Sequence, residues 1–420
     1  MTENNPEHQP VTHTLVRFGV PALILIFYIA ATLRFDYTPD TTFAMLLSLQ
    51  HAAPESLWGA LLSLAGPIGI DRLVAAKVFS LFFSCFAILF SYLIANEVLR
   101  DQLNAFYVAM AVALQSWLMQ LAPSGSGVCF LLVLILATIF FLLRNEYLLG
   151  AVLAGAASLV AWQGAGLLVA LMCDAFVNSV SKARSTKIIT SIVLVYLGAI
   201  LPWILYGLYI GAPFLPNEIA NGNLPTLVPQ VAFEAVMLVG LMFVGIVLLA
   251  MRDRELLRQQ TAVVLWVVLA SFSHEQMFLL TLPLVLMYAF LAIRKIAESV
   301  NLATAQHLLA GMFVAGILAY NQFVVHPAVH TSMDERIAET VVMRANAEWL
   351  RVNAAENESV SVPAGYEGII QYYSEKDIGG GGSLYIIARD TTVADAEVVF
   401  DPSKLNPELL TNHFTVWKRK

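Results

Sequence analysis

The chain has 420 residues, of which 59% are hydrophobic and only 13% charged, with a net charge of -7 and a mean hydropathy of +0.73. Soluble domains average about 25% charged residues, so the composition excludes an ordinary soluble fold and points to an α-helical polytopic membrane protein. The few, scattered basic residues exclude a nucleic-acid footprint. Cys85, Cys129 and Cys173 lie inside apolar runs, with neither metal-ligand spacing nor a disulfide pattern.

Residues 1–14 form a polar tail. The first apolar run, 15–33, is long enough to cross a bilayer and has no small-residue cleavage site, so it reads as a span. Further spans are predicted at 73–97, 104–122, 127–143, 148–161, 165–178, 188–210, 229–251, 261–272, 277–293 and 303–325, about eleven in all. Runs 148–161, 165–178 and 261–272 are short and must be kinked or packed inside the bundle. Trp162-Gln163-Gly164 turns between two of them, and the small residues around it favour close helix packing.

Arg100, Arg144, Lys182, Arg184, Lys187, Arg252, Arg254, Arg258, Arg294 and Lys295 all fall in loops on the side of residues 1–14. The positive-inside rule therefore places the N-terminus in the cytoplasm, of an inner (plasma) membrane. An odd number of spans puts the tail after about His326 outside. The division is a cytoplasmic tail 1–14, a transmembrane domain 15–325 with an amphipathic first outer loop 34–72, and an extracytoplasmic domain 326–420. Fourteen acids and nine bases fall after Thr331. A helical pattern at 334–352 and alternating stretches at 359–362 and 392–400 read as a small α/β domain, with Gly379–Gly382 as a loop.

The first outer loop carries the candidate chemistry. Arg34-Phe-Asp-Tyr-Thr-Pro-Asp-Thr-Thr-Phe43 holds two carboxylates, Asp36 and Asp40, beside a membrane segment. Pro39-Asp40-Thr41-Thr42 is also an ordinary helix start, so a capping role for Asp40 stays open. Basic residues on the same side are Arg34, Arg72 and Lys77. Arg72 beside Asp71 also fits a surface pair, and Lys77 a snorkelling lysine. Asn217, Glu218, His274, Glu275 and Gln163 are further polar residues of the outer loops. His326 and His330 lack partners at metal spacing. No obligatory metal is expected; magnesium or manganese shared by Asp36 and Asp40 would need more oxygens than the loop offers.

These segments resemble the GT-C superfamily of polytopic glycosyltransferases, and in particular the bacterial polyprenyl-phosphate-sugar-dependent group related to arabinofuranosyl- and mannosyltransferases. Tyr37-Thr-Pro-Asp-Thr-Thr-Phe43 resembles the family's acidic first-loop motif, with Asp40 on the catalytic carboxylate and Thr41 where many relatives have a second acid. Ala122-Pro-Ser-Gly-Ser-Gly-Val128 is similar to a serine-glycine loop, with Ser126 and Gly127 in place of a Met-Glu pair. Pro213-Phe-Leu-Pro-Asn-Glu218 resembles a Pro-Asn motif. His274-Glu-Gln-Met-Phe-Leu-Leu-Thr-Leu-Pro283 resembles a late segment, without its arginine. Trp349-Leu-Arg and Gly368-Ile-Ile-Gln-Tyr-Tyr-Ser374 resemble an outer domain in which a Trp-Leu helix leads to a Gly-Ile-x-Tyr-Tyr-Ser strand.

The resemblance implies transfer of a sugar from a polyprenyl-phosphate carrier to a glycan, lipid or protein acceptor, by direct displacement. Asp40 would be general base with Asp36 in reserve, and Arg34, Arg72 and Lys77 would meet the donor phosphate. The departures at Thr41, Ser126 and Glu275 leave a second expectation, a catalytically inactive scaffold or accessory subunit of an envelope complex, with a protein partner on 326–420. Few mid-membrane charges and no internal repeat argue against a transporter.

Overall fold

The structure, a computed structural model, describes residues 20–32, 40–51, 56–178, 182–210, 229–252, 263–267, 275–299, 306–355, 358–379, 383–389, 395–402 and 414–419, with the single positions Thr38, Pro54, Leu257, Arg258, Gln260, Thr261 and Val393. Helix α1 (Val20–Thr32) is followed by the loop helices α2 (Asp40–His51) and α3 (Leu57–Ser63). Ser56 starts α3 by accepting the Gly59 N–H at 3.1 Å, and a 3-10 turn, Gly66–Ile68, ends this segment. The next helix, α4 (Arg72–Leu99), starts on Asp71, whose carboxylate accepts the Val74 N–H at 3.0 Å. Both are side-chain caps that satisfy orphan donors of a first turn.

The bundle continues through α5 (Gln102–Ala113), α6 (Ser116–Leu121), α7 (Val128–Leu143), α8 (Tyr147–Val160), α9 (Gly166–Asn178), α10 (Lys182–Ile210), α11 (Pro229–Arg252), α12 (Glu275–Ser299) and α13 (Gln306–Tyr320). Helix α7 packs between α4 and α8 and is apolar on every side, so it is buried on every side: Leu131, Leu132, Ile135 and Leu136 are each fully enclosed. Helix α10 lies at the periphery, where Leu194, Leu201, Leu205 and Leu208 are exposed, as lipid-facing positions are.

Among the described residues four helices are long and apolar enough to cross a membrane, Arg72–Leu99, Ala183–Tyr209, Leu279–Glu298 and Gln306–Val325; a bent pair would make a fifth. That pair covers one expected span, which is bent. Residues 104–122 form two helices meeting at 58°, because the backbone leaves the helical region at Leu114 and turns extended at the buried Gln115. The short runs 148–161 and 165–178 are α8 and α9, joined by a 3-10 turn over Trp162–Ala165. A Cβ on Gly164 would lie 2.5 Å from the carbonyl carbon of Ala157, so this turn closes only on glycine. Of the expected span 261–272, residues 263–267 are helical and 268–272 lie outside the described residues.

A π-helical turn, Asn321–Val325, joins α13 to α14 (His326–Asn353) without a loop. The tail then forms β1 (Val360–Ser361), α15 (Glu367–Ser374), β2 (Tyr385–Arg389), β3 (Ala396–Phe400) and β4 (Phe414–Arg419). The sheet order is β1-β2-β4-β3: β1 runs parallel to β2, while β4 is antiparallel to both neighbours, with an irregularity between Val398 and Phe400. Val342, Met343, Ala347 and Leu350 of α14, Ile369 and Ile370 of α15, and Tyr385, Ile387, Phe414 and Val416 of the sheet form the tail core. The stretch Gly368–Ser374, expected as a strand, is helical. Ile369 and Ile370 are buried with Gly368 and Ser374, an i, i+4-type stripe that a helix presents to one side. The chain enters it through Gly365 at φ +89° and leaves it through Glu375 at φ +58°.

Candidate functional site

Phe43 belongs to the tail core although it lies more than 300 residues upstream of α15. Its ring is 5.3 Å from that of Tyr372 and 5.6 Å from that of Tyr373, at tilted angles. Two aromatic contacts of this kind add to the burial of the ring itself. Next to them the Asp40 Oδ1 accepts the Ile369 N–H at 2.8 Å. Ile369 is the third residue of α15, so Asp40 closes the first turn of a helix in another part of the chain. Its charge lies where the helix dipole is positive. No side chain of the α15 segment caps that end; the cap comes from α2.

Gly368 makes this approach sterically permissible. A Cβ there would sit 2.4 Å from the Asp40 carbonyl oxygen, 2.9 Å from the Ala44 nitrogen and 3.0 Å from the Asp40 Oδ1. Burial pushes the Asp40 carboxyl above the usual carboxylate range; the Ile369 and Gly368 N–H groups act against the rise, and the neighbouring Glu367 charge adds to it. The Tyr372 phenol is pushed up to about 12, chiefly by burial and then by the Asp71 carboxylate.

The N-terminal end of α4 closes the site from below. Arg72 does not face Asp71 as a surface pair: Asp71 caps α4, while the Arg72 Nη1 reaches back to the Leu49 carbonyl oxygen at 3.0 Å. This bond satisfies an orphan carbonyl in the last turn of α2. Lys77 is half-buried one turn further along. The Ala122–Val128 turn packs there: a Cβ on Gly125, at φ +72°, would meet Ala76 Cβ at 3.3 Å, the Lys77 nitrogen at 3.5 Å and Thr42 Cγ2 at 3.5 Å. Ser124 Oγ lies 3.0 Å from Ser126 Oγ, and both residues are buried. Trp58 packs against Gly127, where an added Cβ would be 2.8 Å from Cγ of the indole.

Asp40 thus lies at the start of α2 against α15, Arg72 is bonded at the other end of α2, and the Lys77 backbone packs with the Gly125 turn beside Thr42. Gln163 lies in the turn after α8, whose helix touches α3, and its Oε1 is buried without a hydrogen-bond partner. Arg34, Asp36, Asn217, Glu218 and His274 lie outside the described residues; Glu275 is the first residue of α12, and its side chain is not described. The participation of Phe43, Gly368, Ile369 and Tyr372 was not among the sequence expectations for the site. The single sequence signal for it was the aromatic residue three places after Asp40. Among the described residues no three His, Cys, Asp or Glu side chains gather as a metal-binding group.

The sequence matches no known family model and no curated protein. Among solved structures the chain is similar to the Archaeoglobus fulgidus oligosaccharyltransferase, crystallised in complex with zinc and sulfate, at 12% identity and a TM-score of 0.55. The match covers 86% of this chain but 62% of that one, so this chain spans about three fifths of the length of its structural relative. The shared feature is the fold: long apolar helices of membrane-crossing length and a small sheet, arranged similarly to that oligosaccharyltransferase.

Proposed function

We propose that the chain is a membrane glycosyltransferase of the GT-C type, taking a sugar from a polyprenyl-phosphate donor and passing it to an envelope glycan, lipid or protein. The observation that supports this reading is the half-buried Asp40 carboxyl at the α2–α15 contact of a bundle similar in fold to an oligosaccharyltransferase, with Arg72 on the far end of the same helix. In the proposed step the acceptor oxygen bonds to the anomeric carbon as the bond from that carbon to the phosphate oxygen breaks. Asp40 takes the acceptor proton on its second oxygen, Oδ2; a carboxyl raised by burial suits a general base. Arg72 and Lys77, joined by Arg34, meet the departing phosphate. Asp36 stands in reserve, and Asn217, Glu218, His274, Glu275 and Gln163 line the substrate cavity. In this reading the Lys/Arg bias puts the N-terminus in the cytoplasm, and an odd number of crossings, about eleven, then puts residues 326–420 outside the inner membrane. No step is routed through a metal.

A second reading, the catalytically inactive scaffold, is favoured by one observation: the Asp40 Oδ1 is already engaged as the cap of α15. Asp40→Asn separates the two, because an amide oxygen can still accept the Ile369 N–H but cannot take a proton. Under the first reading this variant folds with its tail seated and loses turnover of a polyprenyl-phosphate sugar by about 10²–10⁴-fold. Unchanged turnover would remove Asp40 from the chemistry. A wild-type protein that neither transfers nor hydrolyses such donors, yet co-purifies with a stoichiometric envelope protein, would establish the scaffold.

A further inference from the structure

A groove lies at the other end of the bundle from Asp40. Helix α4 rises about 1.5 Å per residue, which puts its C-terminal end roughly 40 Å from Arg72. Arg144 meets Glu97 near that end at 2.7 Å, so the start of α8 lies there too. Between it and the first turns of α10 runs an open groove of about 410 Å³, lined by Asn145, Glu146, Leu148, Leu149, Lys187 and Ser191 among others.

The polar groups of this groove are accessible and uncommitted. Glu146, Lys187 and Ser191 are all exposed. Glu146 stands at the N-cap of α8, yet its carboxylate caps nothing. None of the three side chains has an ion-pair or hydrogen-bond partner among the described residues. Lys187 and Ser191 are four residues apart and share one face of α10. One wall therefore offers a carboxylate, and the other an ammonium with a hydroxyl.

Beyond this polar end both walls turn apolar and stay exposed. Leu148, Leu149 and Val152 of α8 are 52%, 50% and 45% exposed, and Leu194 of α10 is 64% exposed. Helix α10 is one of those long and apolar enough to cross a membrane. A contiguous exposed apolar surface on such a helix faces lipid, so charged groups at its first turns lie at headgroup depth.

We propose that this groove seats one phospholipid with an ethanolamine headgroup. Its phosphate lies on the Lys187 ammonium and the Ser191 hydroxyl, its ammonium on the Glu146 carboxylate, and its acyl chains along Leu148, Leu149 and Val152. Charge complementarity decides the occupant. An anionic glycerol-phosphate headgroup would satisfy Lys187 but would set a negative charge beside Glu146 without a counter-ion. A choline headgroup carries the same charges as ethanolamine but has no N–H to donate to the carboxylate.

Native mass spectrometry of the full chain in detergent, titrated with phosphatidylethanolamine, phosphatidylcholine or phosphatidylglycerol, tests the proposal. Phosphatidylethanolamine is expected to bind about tenfold more tightly than the other two, the scale of one charge-assisted hydrogen bond. Glu146→Gln should bring phosphatidylethanolamine down to the level of phosphatidylcholine. Lys187→Gln should weaken all three lipids by about tenfold, because all three carry the phosphate. Both positions are exposed, so both variants should melt within a few degrees of wild type. Equal binding of the three lipids, tighter binding of either of the others, or a preference untouched by Glu146→Gln overturns the proposal, as does lipid binding unchanged in Lys187→Gln. Displacement of the lipid by equimolar soluble O-phosphoethanolamine would make a soluble compound the occupant and overturn the lipid assignment.

Discussion

Gly368→Ala is the sharpest probe of how the tail is seated. The added methyl would lie 2.4 Å from the Asp40 carbonyl oxygen and 2.9 Å from the Ala44 nitrogen. Both are backbone atoms of α2 and cannot rotate away, so α2 and α15 must separate. Overpacking of this kind costs about 1–3 kcal/mol. The separation also stretches the 2.8 Å bond from Ile369 N–H to Asp40, a charged hydrogen bond worth about 1.5–3 kcal/mol. Alanine returns up to about 1 kcal/mol of helix propensity to α15. The net expectation is about 2–5 kcal/mol weaker docking, from the sum of these terms. Hydrogen exchange of amides 367–374 reads it directly, as protection lost by a factor of about 30 or more for 2 kcal/mol. The matched control is Gly198→Ala in α10, where an added Cβ meets nothing within 4 Å and slight stabilisation is expected. If Gly368→Ala behaves like Gly198→Ala, the tight α2–α15 contact is not how the tail is held.

Three other outcomes follow from the same contacts. Phe43→Ala removes a ring 2% exposed in the tail core and should cost about 3–5 kcal/mol, seen as accelerated proteolysis between the membrane bundle and residues 359–419; resistance equal to wild type would contradict the packing. The folded Asp40 carboxyl is raised, so the folded state holds its proton to higher pH than the unfolded chain does. The contribution of Asp40 to stability should therefore fall as pH rises from the unfolded value, about 3.9, through the folded one, and the difference between wild type and Asp40→Asn should grow over that window; a difference independent of pH would refute it. The Tyr372 phenol, pushed up to about 12, should remain un-ionised at pH 10.5 in a difference ultraviolet titration against Tyr372→Phe, and a tyrosinate signal there would show the ring to be solvated.

The long apolar runs were legible because a bilayer requires them: every end of α4, α10, α12 and α13 falls within six residues of the predicted span. The break at Leu114–Gln115 was not, since a single glutamine in an apolar run looks the same whether it ends a helix or rides inside one. The α/β tail was readable from its charge and alternation, yet α15 was expected as a strand. Its eight residues are too few for a helical period to stand out, and the cap that starts it is Asp40, 329 residues away. For the same reason the helix-start pattern at Pro39-Asp40-Thr41 suggested a cap but could not say of which helix. Arg72 beside Asp71 looked like a pair in sequence; the bond to Leu49 depends on how α2 folds back, which no local spacing records.

The π turn between α13 and α14 leaves no loop between a membrane crossing and the tail, and the backbone at Val325 stays in the helical region. The tail is therefore geared to the membrane bundle like a key on its shaft. One residue inserted between Asn321 and Val325 would turn everything beyond it by about 100°, carrying α15 off Asp40 and Phe43, whereas the same insertion in a flexible tether would be absorbed. The tail's angular position about that helix is thus set by chain length at a single point, and motions of α13 in the bilayer must be felt directly at the Asp40 contact.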